Sequence, residues 1–342
     1  MKFSKDKMQI PPLLHQKIVK TGTTRGADDD EIYQNRVSRS STVLIPFSQW
    51  ECNEEIRNCA SRFVNGYIVL IPPRIYFENN FATEMESRWG LFLGVNALVF
   101  YEKRSDWNLH NPEANGWMPA TSRKNPLGGQ YVARVPATTS LDETSRKKIN
   151  VGFAGNNGKG AGIRLYEYAD AMTIADCKLQ LEALFWACHD SVETAVGAGM
   201  AHEDALARKA DIFKRCGERA LLDWDHLAES RIVDSCKQTI CPLCLQPICG
   251  RQFLSRLAQA EGREVEDLTI TQVSLFHINE LRYGVFNHRP YNLGWGHHDC
   301  NVVVKDHGIS ETLKWMQGVL DRNRLAGFVP PAPSPHQDFR QD

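Results

Sequence analysis

The stretch Asn292–Asn301, "NLGWGHHDCN", sets two histidines, an aspartate and a cysteine side by side, and "CPLC" at 241–244 offers two further thiols. Cys241 and Cys244 form C-x-x-C, with Pro242 in the tight knuckle that lets both sulfurs converge on one ion. His297 and Cys300 repeat the two-residue gap as H-x-x-C. Together the four residues make up a tetrahedral Cys3His zinc set. Cys249 and His298 compete for these places. Cys249 breaks the two-residue spacing, and His298 points away if His297 points inward, so both rank behind the four. A closed four-ligand set has no open position for water, which makes the ion structural and puts any catalyst beside it.

Working outward, the chain of 342 residues is long enough for one large or two ordinary domains. Its 42% apolar, 9% aromatic and 24% charged residues are the proportions of a folded protein. No run approaches the roughly 20 apolar residues that span a bilayer, and "MKFSKDKMQI" has no signal core. The expectation is a cytoplasmic protein with no membrane partner. A net charge of -1 decides nothing about nucleic acid, because phosphate contacts need only a local basic face. Ten cysteines scattered over a chain of this size are read as thiols, and Cys52, Cys59, Cys177, Cys188 and Cys216 as small core residues.

The expected organisation is α+β in four parts. Residues 1–40 are a polar arm with at most one short helix. Residues 41–235 are a mixed α/β region in which "STVLIPF", "NGYIVLIPPRIYF" and "WGLFLGVNALVFYEK" have the length and β-branched content of strands. "SQWECNEEIRNCASRFV" between them has helical spacing, and 170–230 carry two or three more helices. Residues 236–325 form the zinc-bearing unit, and 326–342 a Pro-rich tail. "GFAGNNGKGAGIR" at 152–164 fails as a phosphate loop: Phe153 stands where the first glycine belongs and Gly160 where a Ser or Thr must hold magnesium. It reads as a surface loop.

Between the two knuckles run a helix-like "FLSRLAQAEG", a strand-like "LTITQVSLFHI", a loop, a second short strand, and a helix beginning at Asn301. This C-x-x-C, histidine-ended strand and "NL…C-N" order resembles the zinc-containing HNH, or ββα-metal, endonucleases. The resemblance implies that His277 is the general base, that Asn292 steadies the loop bearing it, and that Asn301 holds a catalytic Mg2+ or Mn2+. Phe276 departs from the family pattern, which commonly has an acidic ligand before the base. Glu280 and Asp306 are the nearest carboxylates that would substitute. The chemistry agrees with these roles: a neutral imidazole takes a proton from water, and a hard cation on an asparagine carbonyl neutralises the leaving oxygen of a phosphodiester. Arg282, His288, Arg289 and Tyr291 are placed to grip DNA phosphates near the cut.

"NHRPYNLGWGHHDCNVVVKD" and "NGYIVLIPP" further resemble the BstXI-like type II restriction endonucleases. The more than two hundred residues of mixed α/β character ahead of the nuclease unit suggest a DNA-recognition region for double-stranded DNA, and the resemblance implies a homodimer matched to a two-fold site and a cognate methyltransferase in the same system. A structure-selective or nicking HNH nuclease and a non-catalytic zinc-stabilised DNA-binding protein are the alternatives.

Overall fold

The computed structural model describes residues 10–25, 36–78, 80–120, 125–135, 149–151, 162–255, 271–282, 285–305 and 307–328. The tail beyond 328, the loop 152–161 and most of "FLSRLAQAEG" lie outside the described residues. The fold is mixed α+β. The first described element is α1 (Pro12–Lys20), and β1 (Thr23–Arg25) pairs antiparallel with β2 (Arg36–Ser38).

A six-stranded sheet follows. β3 (Val43–Pro46) leads through α2 (Phe47–Cys52) and α3 (Glu54–Cys59) to β4 (Tyr67–Ile71). α4 (Pro73–Tyr76) and α5 (Phe81–Trp89) lead to β5 (Ala97–Tyr101), and α6 (Arg104–Leu109) to β6 (Tyr131–Val135). β7 (Ile149–Val151) and β8 (Ile163–Arg164) complete the order β7-β6-β5-β4-β3-β8. All neighbours pair in parallel except β7 with β6. Parallel strands need crossovers, and the helices supply them. The near-continuous apolar runs of β3, β4 and β5 have the same cause, since a parallel sheet is buried on both faces. Val43, Ile45, Val69 and Ile71 pack under Phe47, Trp50 and Met85, while Leu44, Ile68, Leu98 and Val132 form the opposite cluster. Pro46 and Pro72 end β3 and β4 and stand at the N-caps of the helices that follow. Pro cannot extend a strand's ladder, but its fixed φ suits a helix start.

Four helices open the second half, and among the described residues a turn-rich segment, 230–255, leads from them toward the last hairpin. α7 (Ala171–Trp186), α8 (Ser191–Gly197), α9 (His202–Glu218) and α10 (Trp224–Glu229) precede β9 (Val273–His277), β10 (Leu293–His297), α11 (His298–Val304) and α12 (Ile309–Leu325). Asp170 caps α7 by accepting from Thr173 N at 2.8 Å. From Leu179 to Trp186 every residue of α7 is buried, which explains its lack of a polar face. The one charge there, Glu182, is met by Arg208 of α9 in two hydrogen bonds of 2.7 and 2.9 Å.

Residues 1–40 include α1, a single short helix, whose Leu14 and Ile18 are buried in the same cluster as α7. Across position 236, Leu181 and Trp186 share one hydrophobic cluster with Val273, Phe276, Leu293 and Trp295. A two-stranded hairpin cannot bury a tryptophan by itself. Trp295 is therefore sunk against α7, its indole N–H donating to Leu181 O at 2.8 Å. Among the described residues no helix is long and apolar enough to cross a membrane.

Candidate functional site

β9 and β10 pair antiparallel, with His277 opposite Leu293, Leu275 opposite Trp295 and Phe276 opposite Gly294. Cross-strand partners share a face, so His277, Leu275 and Trp295 lie on one side and Phe276 on the other. Phe276 is fully buried. A Cβ on Gly296 would come within 2.4 Å of its ring, so the glycine is what makes room for it. The position expected to carry an acidic metal ligand is thus a core position. α11 follows β10 directly and starts at His298, three residues before Asn301. The asparagine sits inside the helix rather than opening it, because His297 takes the N-cap place.

The two knuckles meet as their spacing predicts. One donor atom each from Cys241, Cys244, His297 and Cys300 lies within 4.8 Å of the others, and Cys244 Sγ is 3.3 Å from His297 Nδ1. Burial pushes the Cys241 thiol up, but the His297 side chain and the Cys244, His297 and Leu243 backbone groups outweigh it and bring it down to about 6. Cys244 is pushed up by burial and by the neighbouring Cys241. Cys300 is raised by burial and then by both thiols. Three sulfurs this close cannot all ionise without a cation among them, and sulfur and imidazole donors suit zinc. Cys249 joins neither knuckle.

His277 is half-buried, and its Nε2 lies 3.2 Å from Nδ1 of His288. Burial, and then the Arg39 guanidinium, hold His277 down at about 3. The same two causes, followed by His277 itself, push His288 further down. Both rings are neutral at pH 7, one nitrogen of each carrying hydrogen. His288 is 1% exposed. It backs His277 instead of reaching outward to DNA, which corrects the phosphate contact expected of it. Arg39 is placed by its own bonds to Thr21 O at 3.1 Å and Glu167 O at 3.0 Å. Lys17 of α1 donates to Val273 O on β9, so the N-terminal segment lies against the hairpin.

Asn292 staples the loop that follows His277. Its Oδ1 accepts from Asn279 N at 2.8 Å and Asn279 Nδ2 at 3.0 Å. Its Nδ2 donates to Asn287 O at 2.7 Å and Asn279 O at 3.3 Å. Tyr291, beside it, has φ 64°. Its hydroxyl donates to Ala220 O at 2.6 Å and accepts from Asp223 N at 3.1 Å, and its ring stacks on His226. These bonds commit Tyr291 to the helical layer, a second correction to the expected DNA contacts. Arg282 and Arg289 are exposed on the loop. Arg282 pairs with Glu280 at 3.1 Å.

Glu280 lines a surface cavity of about 290 Å3 with Asn279, Asn287, His307 and Glu311, where the start of α12 closes on the end of β9. Ile309 N donating to Ile278 O at 3.1 Å makes that closure. Among the described residues the Asn301 side chain makes no hydrogen bond, which leaves its carbonyl open to a cation. Asp306 lies outside the described residues. Phe286 of the loop meets Phe63 and Tyr168 edge-on at 6.2 and 6.1 Å, tying the loop to the sheet half. Arg39, Asn279 and Asn287 join the site through tertiary packing rather than through any motif. The asparagines had a signal, three of them in a short loop; Arg39 had none.

A family model described as BstXI restriction endonuclease matches residues 16–298. The match runs from α1 to the first residue of α11. No curated protein matches the chain. One solved structure, described as "Crystal structure of a type II restriction endonuclease", is 17% identical with a TM-score of 0.27. The alignment covers 47% of this chain and 55% of that one, so this chain spans about half of its length.

Proposed function

The chain belongs to the BstXI restriction endonuclease family, and on that premise we propose that it hydrolyses phosphodiester bonds of double-stranded DNA at a specific sequence. The observation that supports this reading best is the unit built around His277: a hairpin, a loop stapled by Asn292, and a helix tied to a Cys3His cluster. We read the unit as a zinc-stabilised ββα-metal nuclease.

In this reading His277 is the general base. His288 occupies its Nε2, so Nδ1 is the nitrogen that takes the proton from water. The working tautomer carries hydrogen on Nε2 and donates it to His288 Nδ1. A base held at about 3 is weak on its own. An arriving phosphodiester is an anion, and its charge favours the imidazolium, so base strength rises when substrate is bound. Asn301 would hold Mg2+ or Mn2+, with Glu280 and Asp306 the carboxylates that would assist it. Such a cation supplies positive charge against the leaving 3′-oxygen. Cys241, Cys244, His297 and Cys300 would hold zinc, which would tie α11 to the hairpin in a structural role. Arg282 and Arg289 contact backbone phosphates, and the sheet half reads the site. A homodimer cutting one strand per protomer, with a protecting methyltransferase in the same system, completes the proposal.

The test is digestion of long unmethylated DNA with Mg2+, beside an EDTA control and His277→Ala. The reading expects discrete fragments from the wild type with metal, and DNA binding without cutting by His277→Ala. Cutting by His277→Ala would remove the base assignment. Absence of any fragment from the wild type would favour a non-catalytic DNA-binding protein.

A further inference from the structure

Away from the knuckles, the chain brings together a second group of metal-binding side chains. His189 and Asp190 occupy the turn between α7 and α8, and Cys249 immediately precedes the 3-10 turn Gly250–Phe253. One donor atom from each of the three lies within 4.8 Å of the others, with His189 Nε2 and Cys249 Sγ 4.0 Å apart. Sixty residues separate His189 from Cys249, so tertiary packing brings them together.

The carboxylate is held in place. Gly250 N donates to Asp190 Oδ1 at 2.5 Å, and Arg251 N and Thr194 Oγ1 donate to Oδ2, each at 3.3 Å. A Cβ on Gly250 would lie 2.9 Å from Thr194 Oγ1 and 3.3 Å from Asp190 Oδ1, so glycine is what allows this approach. Each carboxylate oxygen has lone-pair capacity beyond these bonds. Outer bonds of this kind orient a ligand and limit the reorganisation that metal binding requires. The thiol beside it is raised by burial and by Asp190, so a bound cation would release its proton on binding.

We propose that His189, Asp190 and Cys249 bind a second zinc-class cation, separate from the one on Cys241, Cys244, His297 and Cys300. A thiolate, an imidazole and one carboxylate match zinc or its soft neighbours and do not match Mg2+ or Ca2+, which prefer all-oxygen shells. Three protein ligands leave a fourth place for water, and His189 stands at the surface. The ion has a mechanical role. Segment 241–249 carries one knuckle at its start and Cys249 at its end, so two ions fasten both ends. Phe253, four residues beyond Cys249, packs edge-on under Trp295 at 5.0 Å and Phe185 at 5.3 Å. The second ion thus holds the aromatic wedge that seats β10 on α7. Asp190 acting only as a hydrogen-bond acceptor for the 250–251 turn is the competing account.

The experiment is zinc content per chain by mass spectrometry of the full-length protein, equilibrated with micromolar free zinc and gel-filtered, for wild type, Cys249→Ser and His189→Ala. Far-ultraviolet circular dichroism checks that the variants fold. The expected result is two zinc ions in the wild type and one in each variant. Cobalt substitution should show the same halving of thiolate-bound cobalt sites. One zinc in wild type and variants alike would overturn the second site and leave the knuckle site standing. One zinc in the wild type and none in Cys249→Ser would support this site and sink the knuckle assignment.

Discussion

Replacing Asn292 by alanine removes four hydrogen bonds, of 2.8, 3.0, 2.7 and 3.3 Å. They do not count equally. Asn279 is exposed, so its side-chain amide can turn to water. Asn287 is 6% exposed, and its carbonyl is left facing protein. Taking one buried acceptor at the full cost of an orphaned group and the Asn279 N–H at the low end gives about 2–4 kcal/mol of lost stability. The loop also loses its anchor next to His277, and in the role proposed for that residue a displacement of about 1 Å is enough for roughly a 100-fold loss of rate. Asn292→Asp sharpens the test. It keeps an acceptor for Asn279 but turns an oxygen toward Asn287 O, where two acceptors meet unless the carboxyl is protonated. Its folded pKa then lies above its unfolded value, so its stability is greatest at low pH and is lost as pH rises through the folded value. The assay is urea unfolding followed by tryptophan fluorescence at several pH values, with zinc content measured in parallel. Asn292→Ala within about 0.5 kcal/mol of wild type, the range of ordinary surface changes, would refute the staple. An Asn292→Asp deficit that does not grow with pH would refute the donor-acceptor assignment.

Three further outcomes follow from the same geometry. Gly296→Ala drives a methyl to 2.4 Å from the Phe276 ring and should cost about 1–3 kcal/mol as overpacking. Adding Phe276→Leu should recover part of that in a double-mutant cycle, and an additive pair would show that the two do not meet. His277 and His288 both have folded pKa values below the usual 6.5, so the unfolded chain binds more protons below that value and stability falls as pH drops from 6.5 toward 3. His288→Gln should flatten the acid side of a melting-temperature profile relative to wild type, and an unchanged slope would contradict the buried pair. Stripping zinc with a strong chelator should release α11 and expose Trp295, which is 1% exposed in the fold, giving a red-shifted fluorescence. Unchanged emission with zinc removed would mean that packing alone holds the hairpin.

What the sequence made legible was local. Ligand spacing of the C-x-x-C and H-x-x-C kind is dictated by the reach of one short turn, and the cluster assembled as that spacing required. The strands β3, β4, β5, β9 and β10 could be read because each is a short apolar run closed by Pro, Gly or a loop. Partners distant in the chain could not be read. Nothing near position 39 says that its guanidinium will help set the state of His277, and nothing in α1 says that Lys17 will donate to β9. His288 and Tyr291 show the same limit from the other side: as a basic and aromatic pattern they resemble DNA contacts, yet one backs His277 and the other is bound to the helical layer. Phe276 is the instructive residue. Its lack of charge counts against a metal shell in the sequence, but the glycine two residues beyond its partner Gly294 makes room for a ring, so that strand position was given to the core. The stapled loop reaches Phe63 and Tyr168 through Phe286, so a movement of the sheet half has a direct packed route to the residues around His277.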